Sequence, residues 1–226
     1  MDKGILLLGD GTSWEGVSVG ALSQAAGTAV FFTGVIGYQE TLTDPACLPY
    51  IMVMTYPHIG NCGITREGMV SENAWCRAMV VKEVSRIASN WQAKGSLQEF
   101  AVAHNVVIVA GIDTQAVTRH LRVYGSQPAI LATGAVDPAD LRRKITRVRP
   151  SLSRVSVKEA REVVASSPSG KRVVVVDCGV RADLLQTLAG FGWRVTLVPW
   201  NTSADEIVSR APDGVVFSSG PEDAEE

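Results

Sequence analysis

KRVVVVDCGVRADLLQTLAGFGWRVTLVPWNTSADEIVSRAPDGVVFSSGP, residues 171–221, decides the architecture of this chain. VVVVD (173–177) has strand length, and an apolar run without alternation predicts a strand buried on both faces. GVRADLLQTLAGFG (179–192) then carries Leu184, Leu185 and Leu188 before a glycine stop, the pattern of a short helix. RVTLVP (194–199) reads as a second strand. Ser203 with Glu206 three residues later forms a capping box that opens another helix. GVVFSSGP (214–221) reads as a third strand leaving through a Gly-Pro turn. A β-α-β-α-β rhythm predicts parallel strands with right-handed crossovers and functional loops at the strand C-terminal ends. Three strands make only part of an open doubly wound sheet, so such a domain is expected to continue past Glu226.

Upstream the rhythm changes. SSPSG (166–170) is a cluster of turn-formers and predicts a domain boundary. It closes a stretch from Leu141 to Arg172 with ten basic and two acidic residues, either a solvated helix and linker or a docking face for an acidic partner. The first 130 residues read as short strands between Gly-rich turns: ILLL (5–8), GVSVG (16–20), TAVFF (28–32), IMVMTY (51–56) and VVIVA (106–110). Helices are predicted over 72–89, from Trp75, Met79, Val80, Val84 and Ile87 at three- and four-residue steps, and over 114–123 and 138–147. The last two begin at Asp113 or Thr114 and at Asp137-Pro138, both good N-terminal signals.

The chain has 226 residues, 21 Lys+Arg against 23 Asp+Glu, and 46% hydrophobic residues. That length corresponds to roughly 1.5 average domains, and the apolar content excludes wholesale disorder. A net charge of -2 supplies no field for nucleic acid or an anionic membrane. The apolar runs fall far below the roughly 20 residues of a membrane span, and the N-terminus has no apolar core of signal-peptide length. A soluble intracellular α/β protein is expected. Cys47, Cys62, Cys76 and Cys178 form no CxxC pair and do not cluster with the three histidines, so no metal site is expected.

Few residues stand out chemically. Cys62 lies four residues after His58 in YPHIGNCG, but a thiolate nucleophile needs an adjacent base and oxyanion donors that spacing does not supply. Cys178 follows the first strand of the second unit without the Gly-x-Cys-x-Gly turn that exposes a sulfur. In SSGP (218–221), Gly220 leaves a parallel strand with an unobstructed backbone N–H, raw material for a ligand loop or simply a turn. GYQETLTDP (37–45) reads as a polar, turn-rich loop.

A resemblance sharpens this. FFTGVIGYQETLTDPA, TYPHIGNCG, IASNW and AGIDTQAVTRHLR look like the N-terminal domain of the small, glutamine-hydrolysing subunit of carbamoyl-phosphate synthase. LLLGDGTSWEG, VVVDCGVRADLL, TLVPWNTSADEI and PDGVVFSSGP are similar to the same family in order and spacing. The resemblance implies an α+β N-terminal domain with a β-rich sheet over 1–150, a basic linker over 151–170, and an incomplete flavodoxin-like class I amidotransferase domain over 171–226. In this family a cysteine on a G-x-C-x-G-x-Q elbow attacks the glutamine amide, with a His and a Glu completing the triad. None of the three falls within this chain.

Glutamine-contacting positions that do fall inside it are Ala46, Gly220 and Glu222. The family commonly has Ser at the first and Gly at the third. Each departure costs about 1–3 kcal/mol if it leaves a buried polar group unpaired. The implied role is supply of ammonia from L-glutamine to a large synthetase subunit, which uses ATP and bicarbonate to make carbamoyl phosphate for arginine and pyrimidine synthesis in the cytoplasm. No cofactor is implied for this chain, and no nucleic-acid or membrane partner. The alternative is a non-catalytic docking or regulatory module for the large subunit. A stand-alone anion- or nucleotide-binding half-domain is a third reading, without a glycine-rich phosphate fingerprint to support it.

Overall fold

A computed structural model describes residues 2–135, 137–145, 151–163 and 170–221. The chain divides into two compact units, Met1–Thr43 with Cys47–Arg149, and Asp44–Ala46 with Pro150–Glu226. The fold is α/β.

The first unit runs β1 (Lys3–Leu8), β2 (Ser13–Ser18), β3 (Gln24–Phe32), α1 (Tyr38–Thr43), β4 (Tyr50–Met54), β5 (His58–Ile59), β6 (Ala78–Val80), β7 (Glu83–Val84), α2 (Leu97–Ala103), β8 (Val107–Ala110), α3 (Thr114–Tyr124), β9 (Gln127–Thr133) and α4 (Pro138–Lys144). Seven of these strands close into a barrel in the order β1-β2-β8-β6-β4-β3-β9. Alternate residues explain it. Leu6, Leu8, Ile51, Val53, Ala78, Val80, Val107, Val109, Ala129 and Leu131 share one buried cluster with Ile112 and with Val117 and Leu121 of α3. Their neighbours on the strands point the other way: Met52, Met54, Met79 and Ile108 pack with Tyr38 and Leu42 of α1 and Leu97 and Ala101 of α2. Ile5, Leu7, Ile130 and Ala132 pack with Leu141 of α4. Strands covered on both faces read as continuous apolar runs, which is why IMVM and VVIVA show no alternation.

The helix predicted over 72–89 does not form; that stretch holds β6 and β7. Ala78–Val80 lies between β4 and β8 with parallel pairing on both sides. Two neighbouring strands outweigh a periodicity that strand-turn-strand spacing happened to mimic. The GYQETLTDP loop instead contains α1. Thr41 and Thr43 hydroxyls bond back to the Gly37 and Gln39 carbonyls, and Tyr38 and Leu42 are buried. Polar composition hid an amphipathic turn.

The second unit adds α5 (Leu152–Val155), β10 (Arg161–Val163), β11 (Arg172–Asp177), α6 (Ala182–Gly190), β12 (Arg194–Pro199), α7 (Ala204–Ser209) and β13 (Gly214–Phe217). Its sheet has the order β10-β12-β11-β13. β11, β12 and β13 are parallel, while β10 pairs antiparallel with β12. β10 therefore covers the β12 edge of the parallel strands, and it comes from the stretch expected to be a linker. Placing the first parallel strand between the other two sends successive right-handed crossovers to opposite faces. Val173 and Val175 accordingly pack with Leu185 and Leu188 of α6, and Val174 and Val176 with Ile207 of α7. Ser203 caps α7 by accepting from the Glu206 N–H, whereas the Glu206 carboxylate pairs with Arg210 rather than completing the box.

Candidate functional site

The loops that leave β11 and β13 lie side by side because their strands do. The Ser218 N–H extends the ladder by donating to the Val176 carbonyl (3.1 Å). The Ser218 hydroxyl accepts from the Cys178 N–H at 2.9 Å and donates to the Ser219 carbonyl at 3.0 Å. Asp177, 2% exposed, ends β11, and among the described residues its carboxylate accepts from three backbone donors. One oxygen accepts from the N–H groups of Gly179 and Val180, the other from Val157. A buried carboxylate bonded in this way fixes the loop rather than reacting.

Two glycines let the loops approach. Gly220 passes so close to the β11 loop that a Cβ there would sit 2.0 Å from the Cys178 carbonyl oxygen. Gly179 has φ +122°, and a Cβ on it would lie 3.1 Å from Pro45 and 3.3 Å from the Gly220 Cα. Asp44–Ala46, the β11 loop and the β13 loop thus meet around Gly179, and all three belong to the second unit. Of the residues singled out beforehand, Ala46 and Gly220 are in this unit, and Glu222 lies outside the described residues.

Sequence reading missed Arg181. It stands at the N-cap of α6 with no side-chain capping bond. Its Nε and Nη2 fork onto the Asp183 carboxylate at 3.2 and 2.8 Å, and Nη1 reaches Asp44 Oδ2 at 3.1 Å. The Asp183 hydrogen bonds raise the guanidinium pKa, and the guanidinium in turn holds the Asp183 carboxyl below its usual range. The other Asp44 oxygen accepts the Ala46 N–H at 2.9 Å. The one hint in the sequence was an Arg where an acceptor usually caps a helix.

The chain belongs to the carbamoyl-phosphate synthase small-chain family. The family model for the carbamoyl-phosphate synthase small chain, CPSase domain, matches residues 6–131, and that for class I glutamine amidotransferases matches residues 174–226. Relatives named carbamoyl phosphate synthase small chain agree. The protein of Listeria monocytogenes serovar 1/2a is 40% identical over 99% of this chain and 61% of its own length. That of Symbiobacterium thermophilum is 42% identical over 94% and 60%, and that of Pseudomonas aeruginosa 36% over 98% and 64%. The chain thus spans about three-fifths of the length of the small chains it matches.

Within this small-chain framework the Cys–His pair that spacing suggested does not form. Cys62 is exposed, no hydrogen bond joins it to His58, and His58 Nδ1 stands 3.9 Å from Glu83 instead. Burial pushes the Cys76 thiol up to about 11, so it carries no thiolate near neutrality. Among the described residues no cluster of three or more His, Cys, Asp or Glu could hold a metal ion. None of their helices is long and apolar enough to cross a membrane.

His120 is hydrogen-bonded through its side chain: Nε2 meets Asp10 Oδ2 at 2.6 Å, and Gln127 Nε2 donates to the same oxygen at 3.1 Å. Burial opposes ionisation of Asp10, but the Thr12 N–H, His120 and Gln127 outweigh it and hold the carboxyl far below 3.8. A depressed carboxylate stabilises the fold above its unfolded pKa and loses that contribution as pH falls. Stability should therefore drop below about pH 4, and Asp10→Asn should flatten that acid limb. Urea midpoints of both proteins at about pH 3 and pH 6 would check this; equal slopes would remove Asp10 from the account.

Proposed function

We infer that this chain is the glutamine-binding part of a glutamine-dependent carbamoyl-phosphate synthase small subunit. The observation that carries the reading is the meeting of Asp44–Ala46 with the Gly179 and Gly220 loops in one compact unit. Gly220 has no Cβ to shield its backbone N–H at this meeting point, and a donor of that kind would suit the carboxylate or amide oxygen of glutamine. Ala46, Gly220 and Glu222 are the proposed contacts. The complete subunit would pass ammonia from glutamine to a large synthetase subunit that uses ATP and bicarbonate, in the cytoplasm, for arginine and pyrimidine synthesis.

Amide hydrolysis needs an activated nucleophile with a base beside it. No cysteine of the 226 residues stands in a G-x-C-x-G-x-Q setting, and His58, His104 and His120 all belong to the first unit. The purified chain is therefore expected to bind L-glutamine saturably in titration calorimetry and to release no ammonia above background. Ammonia release abolished by Cys178→Ala or Cys62→Ala would overturn the second expectation. A chain that binds the large subunit but no glutamine would be a docking module.

A further inference from the structure

We propose that Arg181 and Asp44 are positioning residues for the glutamine site, fixing the Asp44–Pro45–Ala46 turn against the strand-end loops. The ligand's identity rests on the function proposed above; the positioning rests on geometry alone.

Arg181 is poorly placed for its own helix. A cation at an N-terminus opposes the helix macrodipole, and Arg offers no oxygen to the orphan N–H groups there. Asp183, in the first turn of α6, offsets the charge and does more. By occupying Nε and Nη2 it orients the planar guanidinium so that Nη1 points at Asp44. Asp44 then has both oxygens engaged, one by Arg181 and one by the Ala46 N–H, which restrains its side chain from two directions. Pro45 between them is buried, and its Cβ lies 3.1 Å from where a Cβ on Gly179 would stand. The turn is held from two sides: an ion pair at Asp44 and a packing contact at Pro45. The Asp44 side chain is only 18% exposed, so water screens this pair less than a surface one. A lysine would retain the charge without the fork that aims it.

The poor cap makes the proposal separable from a purely structural role. Arg181→Asn supplies a better N-cap, so its melting temperature should be equal or higher. The same variant should speed amide exchange at Ala46 at least tenfold, leave Val174–Val176 unchanged, and raise the Kd for L-glutamine at least tenfold. Arg181→Lys should restore part of both losses. Unchanged exchange at Ala46 in Arg181→Asn would overturn the proposal. So would faster exchange without loss of affinity, or exchange rising equally across β11. If the unmodified chain binds no glutamine, the proposed ligand fails, and Ala46 exchange alone decides whether the clamp exists.

Discussion

Replacing Gly220 by alanine is expected to pull the β11 and β13 loops apart. The new Cβ would stand 2.0 Å from the Cys178 carbonyl oxygen and 2.9 Å from its carbon. These are backbone atoms, so no flexible side-chain end can move aside. Overpacking of this kind costs about 3 kcal/mol. If that strain is relieved by displacing the loop, glutamine affinity should fall about 100-fold. Gly214→Ala is the control, because a Cβ there meets nothing within 4 Å. Thermal melts and glutamine titrations of the two variants check the claim. Matching behaviour would mean that the loop approach is not what the close contact implies.

The second large effect concerns the barrel. Leu131 is fully buried, and its register partner on β1 is Leu6, also fully buried. Leu131→Ala should destabilise the first unit by about 3–5 kcal/mol, the transfer cost of the lost methyl groups plus the cavity they leave. Val102→Ala, at a position 62% exposed, should stay within about 0.5 kcal/mol of the parent. Urea unfolding followed by circular dichroism gives both values. A Leu131→Ala loss below about 1 kcal/mol would show that the barrel interior collapses around the gap.

What could be read beforehand follows physical range. The three parallel strands and two helices of the second unit were legible because each is signalled within ten residues, by a valine run, a cap or a glycine stop. The Asp113 and Asp137 caps revealed α3 and α4 for the same reason. Barrel closure was not legible, since it depends on pairings such as Gly4 with Thr133 that no local pattern encodes. β10 was hidden in a basic stretch because an edge strand needs little apolar sequence. The S-x-x-E signal at Ser96–Glu99 was present and overlooked, and it opens α2 with both halves of its capping box in place.

The site divides the same way. Gly220 drew notice in the sequence because glycine after a parallel strand can expose its N–H, but that signal fits a plain turn equally well, and only family resemblance pointed it at glutamine. Ala46 came only from family resemblance; its membership of the second unit is a three-residue excursion with no compositional trace. Arg181 and Asp44 are separated by most of the chain, and only the fold brings their charges together.

The position of β9 has a consequence for how the first unit comes into being. β9 lies between β1 and β3, so it supplies both closing seams, and it is the last barrel strand to be synthesised. Until Gln127–Thr133 leaves the ribosome, the other six strands can at best form an open sheet with two unpaired edges, each rich in apolar residues. Closure of such long loops places folding in the slow, millisecond-to-second class. The nascent chain therefore stays in an aggregation-prone form until β9 emerges, and that one seven-residue segment ends the exposure by zipping shut on both sides.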